Sequence, residues 1–525
     1  MAFPLTVPAL LSHTARLHGA TEIVSRLDDG SLHRYTWADC LRRAQQLGGA
    51  LRALGLRPGD RIATFAWNNH RHLEAWLGIS SCGFVVHTLN VRLHPDDLAY
   101  IATDAGDRVA IVDESLLPQF EKFRARVAFE HVIVLSDSAT AHEGTEDYEV
   151  LIARAQPEPF NDLADENLAC SMCYTSGTTG QPKGVVYSHR SQVLHAMAIA
   201  LPDVFSMAAS DTVLPVVPMF HANAWGIPYA AAMVGCRLVL PGRFLDPQSI
   251  VELLASEHAT LTAGVPTIWL GILDYLDKHA GEYDLSALRT MVIGGSAVPL
   301  SMIKAFDERH GLAVKQGWGM TELSPLGTFS GDRRGVVGKD AVHAYRATQG
   351  VPAPFVDIRA RSDDGLVPWD GASMGELEVR GPWVAAAYHG GAGAESFTDD
   401  GWFRTGDVVT ISADANIIVQ DRNKDLVKSG GEWISSVLLE NYLMGHPQVA
   451  EAAVIAVPHP QWLERPMAVV VPRAGCTPDV EELRAFLAEH FAKWWVPERI
   501  VFTDALPKTA TGKVRKLDLR QAWSS

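Results

Sequence analysis

Short apolar runs alternate with amphipathic helical patterns along most of this chain, and that change of period is the mark of an α/β fold. DRIATFAWNN and RVAIVDES read as strands of a parallel sheet. LDPQSIVELLASE reads as a helix, with Asp246 as its cap, Pro247 in the first turn, and Ile250, Leu253 and Leu254 on one face. LTAGVPTIW and TMVIGGSAVP read as strands that run into Gly/Pro loops, the kind of loop that lines the ligand crevice of an open α/β sheet. With 525 residues the chain exceeds what a single core can hold. Near Asp421 the texture changes: DRNKDLVKSGGEW is charged and glycine-containing, and beyond it AAVIAV and MAVVVP read as strands. EELRAFLAEHF places Leu483, Phe486, Leu487 and Phe491 on one helical face. The expected architecture is a large α/β domain of mostly parallel sheets over residues 1–421 and a small α+β domain over 422–525, joined through a polar hinge.

One loop carries the chemistry. In YTSGTTGQPKGVVYSH, from Tyr174 to His189, the ten residues from Thr175 to Gly184 hold three glycines, four Ser/Thr hydroxyls and Lys183, between the apolar runs LACSMCY and GVVYSH. Glycine loses more backbone freedom on ordering than any other residue, so a ligand must compensate, and a polyphosphate is the first candidate. The spacing is neither a Walker A loop nor a dinucleotide G-x-G-x-x-G. It supplies a nest of backbone N–H groups, hydroxyls and one ammonium.

A net charge of −16 argues against nucleic acid as the main partner, so an anionic ligand needs a locally built pocket. The six cysteines are sparse and point to a reduced, cytoplasmic protein. Cys170 and Cys173 form a lone CxxC without companions, which reads as small apolar residues on a strand and not as a zinc site. Residues 212–236 lack any Asp, Glu, Lys or Arg, but Pro215, Pro218, Pro228, His221 and Asn223 interrupt them. That stretch is expected to be a buried core with a functional turn, not a transmembrane helix. The N-terminal MAFPLTVPALL, with two prolines and no basic region, makes a poor signal peptide.

The loop resembles the signature of the acyl-adenylate-forming enzymes, and further motifs follow in that superfamily's order: GGSAVP, GWGMTE, FRTGD, DRNKDLVKSGGEWIS and PKTATGK. PMFHANAWG and KSGGEWISS are most similar to medium- and long-chain fatty acyl-CoA synthetases. The resemblance implies an AMP-forming acyl-CoA synthetase that uses ATP, Mg²⁺ and coenzyme A. It implies that Thr175, Ser176, Gly177, Thr178, Thr179, Gly180 and Lys183 hold the departing phosphates, and that Thr175 and Glu322 hold the metal. Gly294, Gly295, Ser296 and Ala297 would pack against adenine, with Gln316, Gly317, Trp318, Gly319 and Thr321 completing the nucleotide site. Asp407 and Arg422 would take the ribose. Lys513 would reach the reacting carboxylate and α-phosphate, with Thr179, Lys183 and His221 assisting catalysis. His221 and Trp225 would line the acyl pocket, with Trp225 as its gate, and Gly430 and Gly431 the pantetheine tunnel. Lys424 would be the hinge of a mobile C-terminal domain.

An acid pocket without an Asp for a substrate ammonium points to a neutral, apolar acid. The other readings are a ligase for an aryl or sulfur-containing acid, and a non-catalytic nucleotide-binding relative. The resemblance further implies a homodimer, and peripheral contact with membranes stays open.

Overall fold

The computed structural model describes residues 3–137, 142–160, 165–175, 181–429, 432–509 and 513–523. It is an α/β protein built on four sheets. The first has seven strands, in the order Glu146–Asp147, His131–Leu135, Asp107–Asp113, Arg61–Phe65, Val85–Thr88, Ala169–Tyr174 and Gly184–Ser188. All pair in parallel except the last two, which form an antiparallel pair in which Tyr174 faces Gly184. DRIATFAWNN and RVAIVDES are adjacent parallel strands here, and Ile62, Ala63, Val109 and Ile111 are fully buried. Strands covered on both faces read as unbroken apolar runs for that reason.

The second sheet has nine strands, its parallel centre running Val314–Gly319, Thr290–Gly294, Leu261–Gly264, Thr212–Pro215, Arg237–Leu240 and Glu22–Arg26. The LDPQSIVELLASE segment forms the helix Pro247–Ser256, with the Asp246 carboxylate accepting from the Ser249 N–H at 3.0 Å. After Leu261–Gly264 the expected loop is short, because the helix Pro266–Lys278 begins with its proline in the first turn, where the missing N–H costs nothing. The charge-free stretch splits into the strand Thr212–Pro215 and the helix Ile227–Val234. Among the described residues no helix is long and apolar enough to cross a membrane.

A five-stranded antiparallel sheet includes Phe403–Ile411 and Ile417–Arg422, with Asp407 facing Arg422 in register. The fourth sheet is C-terminal: Leu463–Pro472 pairs antiparallel with Val449–His459 and Val427–Ser429, and in parallel with Arg499–Phe502. The helix beside it spans Val480–Ala488, so Leu483 and Leu487 are buried on its inner face while Phe491 lies past its end. Cys170 and Cys173 are core residues of the strand Ala169–Tyr174.

Candidate active site

The cavity that concerns function opens where the C-terminal ends of the two parallel-centred sheets face each other. The Gly-rich loop hangs from the antiparallel pair of the first sheet and is closed at its base by two reciprocal bonds. The Thr175 N–H donates to the Lys183 carbonyl at 2.9 Å, and the Lys183 N–H donates to the Thr175 hydroxyl at 3.0 Å. The C-terminal PKTATGK segment repeats this device: the Thr509 N–H donates to the Lys513 carbonyl at 2.7 Å, and the Lys513 N–H to the Thr509 hydroxyl at 3.1 Å. Each clasp ends on a lysine that lines the cavity. Ser176, Gly177, Thr178, Thr179 and Gly180 lie outside the described residues, as do Gly430 and Gly431.

The nine-stranded sheet contributes the opposite wall. Gly294, Gly295, Gly317, Trp318, Gly319, Thr321 and Glu322 all line the cavity. Ser296 and Ala297 do not, and neither does Gln316. The Gln316 amide turns away from the expected nucleotide position: its oxygen accepts from the Val298 N–H at 2.7 Å and its nitrogen donates to the Thr348 carbonyl at 3.0 Å. It therefore braces the glycine loop from behind. Trp318 fits because residue 327 is glycine; a Cβ there would stand 2.3 Å from the indole ring. The indole N–H reaches the Asp407 carboxylate, whose other oxygen pairs with Arg422 at 2.7 Å. Asp407 itself is buried behind the wall, not on it. Lys424 occupies the turn between the strands Ile417–Arg422 and Val427–Ser429, where one sheet hands over to the next.

His221 and Trp225 line the apolar side with Phe205, Val216, Val217 and Ile268. Trp225 is held by an unusual backbone: Ala222, Asn223, Ala224, Trp225 and Gly226 have φ of 44°, 54°, 47°, 56° and 75°. One left-handed residue outside glycine costs about 1–2 kcal/mol, so packing of the surrounding core must offset the run. The turn drives the Trp225 ring edge against Gly294, where a Cβ would lie 3.2 Å from it.

Charge at the site runs against the acidity of the whole chain. Arg92, Lys183, Arg422 and Lys513 line the cavity with Glu322 as the one carboxylate among the described residues. Burial, then repulsion from Arg422, lowers the Lys513 ammonium to about 8, against the pull of Asp407 and Glu322. Burial, with Lys513 and Arg92 nearby, lowers His221 to about 4, so its ring is neutral at working pH. Burial raises the Glu322 carboxyl, whose Oε1 accepts from the Tyr388 hydroxyl at 2.5 Å. Tyr388 gives the one side-chain hydrogen bond to this carboxylate among the described residues, which suits one carboxylate ligand of a magnesium ion otherwise held by phosphates and water. No group of three metal-binding carboxylate, histidine or cysteine side chains occurs among the described residues. Tyr388 and Arg92 are cavity residues that sequence reasoning missed. Arg92 sits in a loop at a strand end, a placement that could have exposed it; Tyr388, after the apolar stretch WVAAA, carries no such signal.

Residues 11–389 match the family model described as AMP-binding enzyme, and residues 438–513 match the AMP-binding enzyme C-terminal domain. The chain is 47% identical to a long-chain-fatty-acid–CoA ligase of Thermus thermophilus, over 98% of this chain and 95% of that protein. It is 46% identical to a 3-methylmercaptopropionyl-CoA ligase of Ruegeria lacuscaerulensis, over 100% of this chain and 98% of the relative. Among solved structures it superposes on an anthranilate CoA ligase in complex with anthranoyl-AMP with a TM-score of 0.89, at 26% identity over 99% and 98% of the two chains.

Proposed function

The chain belongs to the family of AMP-binding enzymes, and on that premise we propose that it activates medium- to long-chain fatty acids as coenzyme A thioesters. The reaction is that of an ATP-dependent, AMP-forming acid–CoA ligase. A carboxylate oxygen attacks the α-phosphorus of ATP and diphosphate leaves. The CoA sulfur then attacks the acyl carbonyl, and AMP departs with the electron pair of the broken C–O bond. The observation that carries the reading is convergence: four cations and one carboxylate from distant segments meet in a cavity that has an apolar side formed by Phe205, Val216, Val217, Trp225 and Ile268.

In the first half-reaction Lys183 and the hydroxyl-rich loop hold the departing diphosphate, and Lys513 supplies positive charge between the carboxylate and the α-phosphate. Glu322, with Thr175, would hold Mg²⁺, which when bound spreads the negative charge of the phosphates. Arg422 holds the ribose from the cavity wall, with the Asp407 carboxylate buried behind it and paired to it, and Trp318 presents its ring to adenine. His221 and Trp225 bound the acyl chain. In the second half-reaction the segment from 422 onward turns about Lys424, withdraws Lys513 and brings Gly430 and Gly431 to the thiol path. This makes 1–421 and 422–525 the working units. We also propose a homodimer in the cytoplasm, on the likeness to fatty acyl-CoA synthetases.

The test is a rate profile for AMP release with ATP, Mg²⁺, CoA and acids from acetate to palmitate, with 3-methylmercaptopropionate included because of the Ruegeria relative. A maximum among medium or long chains is expected. A clear preference for the sulfur acid would transfer the assignment to it, and absence of AMP with every acid would remove the reading altogether.

A further inference from the structure

Two opposite charges face this cavity close together without neutralising each other. Lys183 and Glu322 form no ion pair, although both line the same space. Between them stands Tyr388, which is buried. Its hydroxyl donates to Glu322 Oε1 at 2.5 Å, and the Lys183 ammonium lies 4.9 Å from the centre of its ring. The ring is itself fixed, with Phe397 at 5.5 Å and Phe403 at 6.4 Å between centroids. The same segment grips the Glu322 loop again through its backbone: the Ala385 N–H donates to the Glu322 carbonyl at 2.7 Å, and the Ser324 hydroxyl to the Trp383 carbonyl at 3.0 Å. It also wraps Lys183. Gly393 passes so near that a Cβ there would be 2.4 Å from the ammonium nitrogen.

We propose that Tyr388 is a positioning residue that keeps Lys183 and Glu322 apart and aimed at the ligand. The proposal rests on the functional reading above. A carboxylate and an ammonium free to move in a partly desolvated cleft would pair, and nucleotide and metal would then have to break that pair. The aromatic face attracts the cation without cancelling its charge. The phenol occupies one carboxylate oxygen, and among the described residues no other side chain is hydrogen-bonded to that carboxylate. The only ion pair Lys183 makes among the described residues is with Glu395, at 3.7 Å and with that carboxylate 79% exposed, a contact that is weak and easily given up.

Two variants separate the two functions of the ring. Tyr388→Phe keeps the face under Lys183 and removes the bond to Glu322. Tyr388→Leu removes both. Calorimetric binding of ATP with and without Mg²⁺ reads the ground state, and half-saturating Mg²⁺ in AMP release reads the working enzyme. For Tyr388→Phe we expect the Mg²⁺ requirement and the Kd for MgATP to rise about tenfold, the scale of one hydrogen bond to a charged group, with metal-free ATP changed far less. For Tyr388→Leu we expect metal-free ATP to weaken as well, by about tenfold. The proposal is overturned if Tyr388→Phe retains the wild-type Mg²⁺ requirement, or if it weakens metal-bound and metal-free ATP equally. A wild-type protein that releases no AMP with any acid defeats the functional reading instead, and the role of Tyr388 with it.

Discussion

The indole N–H of Trp318 donates to Oδ2 of Asp407 across 2.9 Å, while the Arg422 guanidinium stands 2.7 Å from Oδ1 of the same carboxylate. One donor comes from the nine-stranded parallel-centred sheet and the other from the strand beside Asp407 in the antiparallel sheet. The carboxylate is thus held in one orientation by groups from two different sheets. Trp318 links the nine-stranded sheet to the antiparallel sheet through this bond.

Replacing Trp318 with Phe removes one of the two donors to a buried carboxylate. Unfolding free energy should fall by about 1–3 kcal/mol, and KM for ATP should rise about tenfold, because the Asp407 plane is no longer fixed. Urea titration and initial rates at varied ATP measure the two effects.

On the proposed function, Lys513→Ala removes the cavity ammonium that would meet charge developing on the carboxylate and α-phosphate. Adenylation should slow by about 10²–10³-fold, the scale seen when one donor to a developing anion is lost. Thioester formation from supplied acyl-AMP should keep most of its rate. Equal loss in both halves would show that Lys513 serves binding in general and not the first step.

The pH profile follows from the same lysine. Its ammonium is lowered to about 8, chiefly by burial and then by Arg422. The charged form is the useful one, so kcat/KM for ATP in adenylation should decline as pH rises through about 8. Arg422→Gln removes a like charge from Lys513 and frees Asp407 to attract it, so that limb should move to higher pH. His221, lowered to about 4, should contribute no limb near neutrality.

On the proposed function, Trp225 and Gly294, which meet on the cavity wall, would set the width of the acyl pocket. Trp225→Ala should raise the rate with long or bulky acids relative to short ones. Gly294→Ala puts a Cβ 2.8 Å from the Gly317 carbonyl and 3.2 Å from the Trp225 ring. It should cost about 1–3 kcal/mol of stability and narrow the acid range, read by denaturation and by rates across chain lengths.

Much of this was legible before any coordinates. The α/β pattern, the helix cap at Asp246 and the place of the Gly-rich loop between two strands were all local signals, and all are present in the fold. Lys183, Glu322, Arg422, Trp225 and Lys513 were named from motifs, and one cavity gathers them. Other features were hidden. Gln316 sits in a motif yet faces the back of the wall, because its partners at Val298 and Thr348 come from a loop and a turn that the motif does not contain. The left-handed turn that carries Trp225 has Ala and Asn where glycine would announce it. Tyr388 follows an apolar stretch and looks like core until Glu322 and Lys183 are seen on either side of it.

By itself the sequence determined the secondary structure, the loop chemistry and the inventory of reactive side chains, since propensity, capping and charge are carried by neighbours along the chain. Tertiary structure decided which groups meet and in what state. The Asp407 orientation, the lowered Lys513 ammonium and the separation of Lys183 from Glu322 all arise from burial and through-space fields, whose strength depends on distances between residues far apart in sequence.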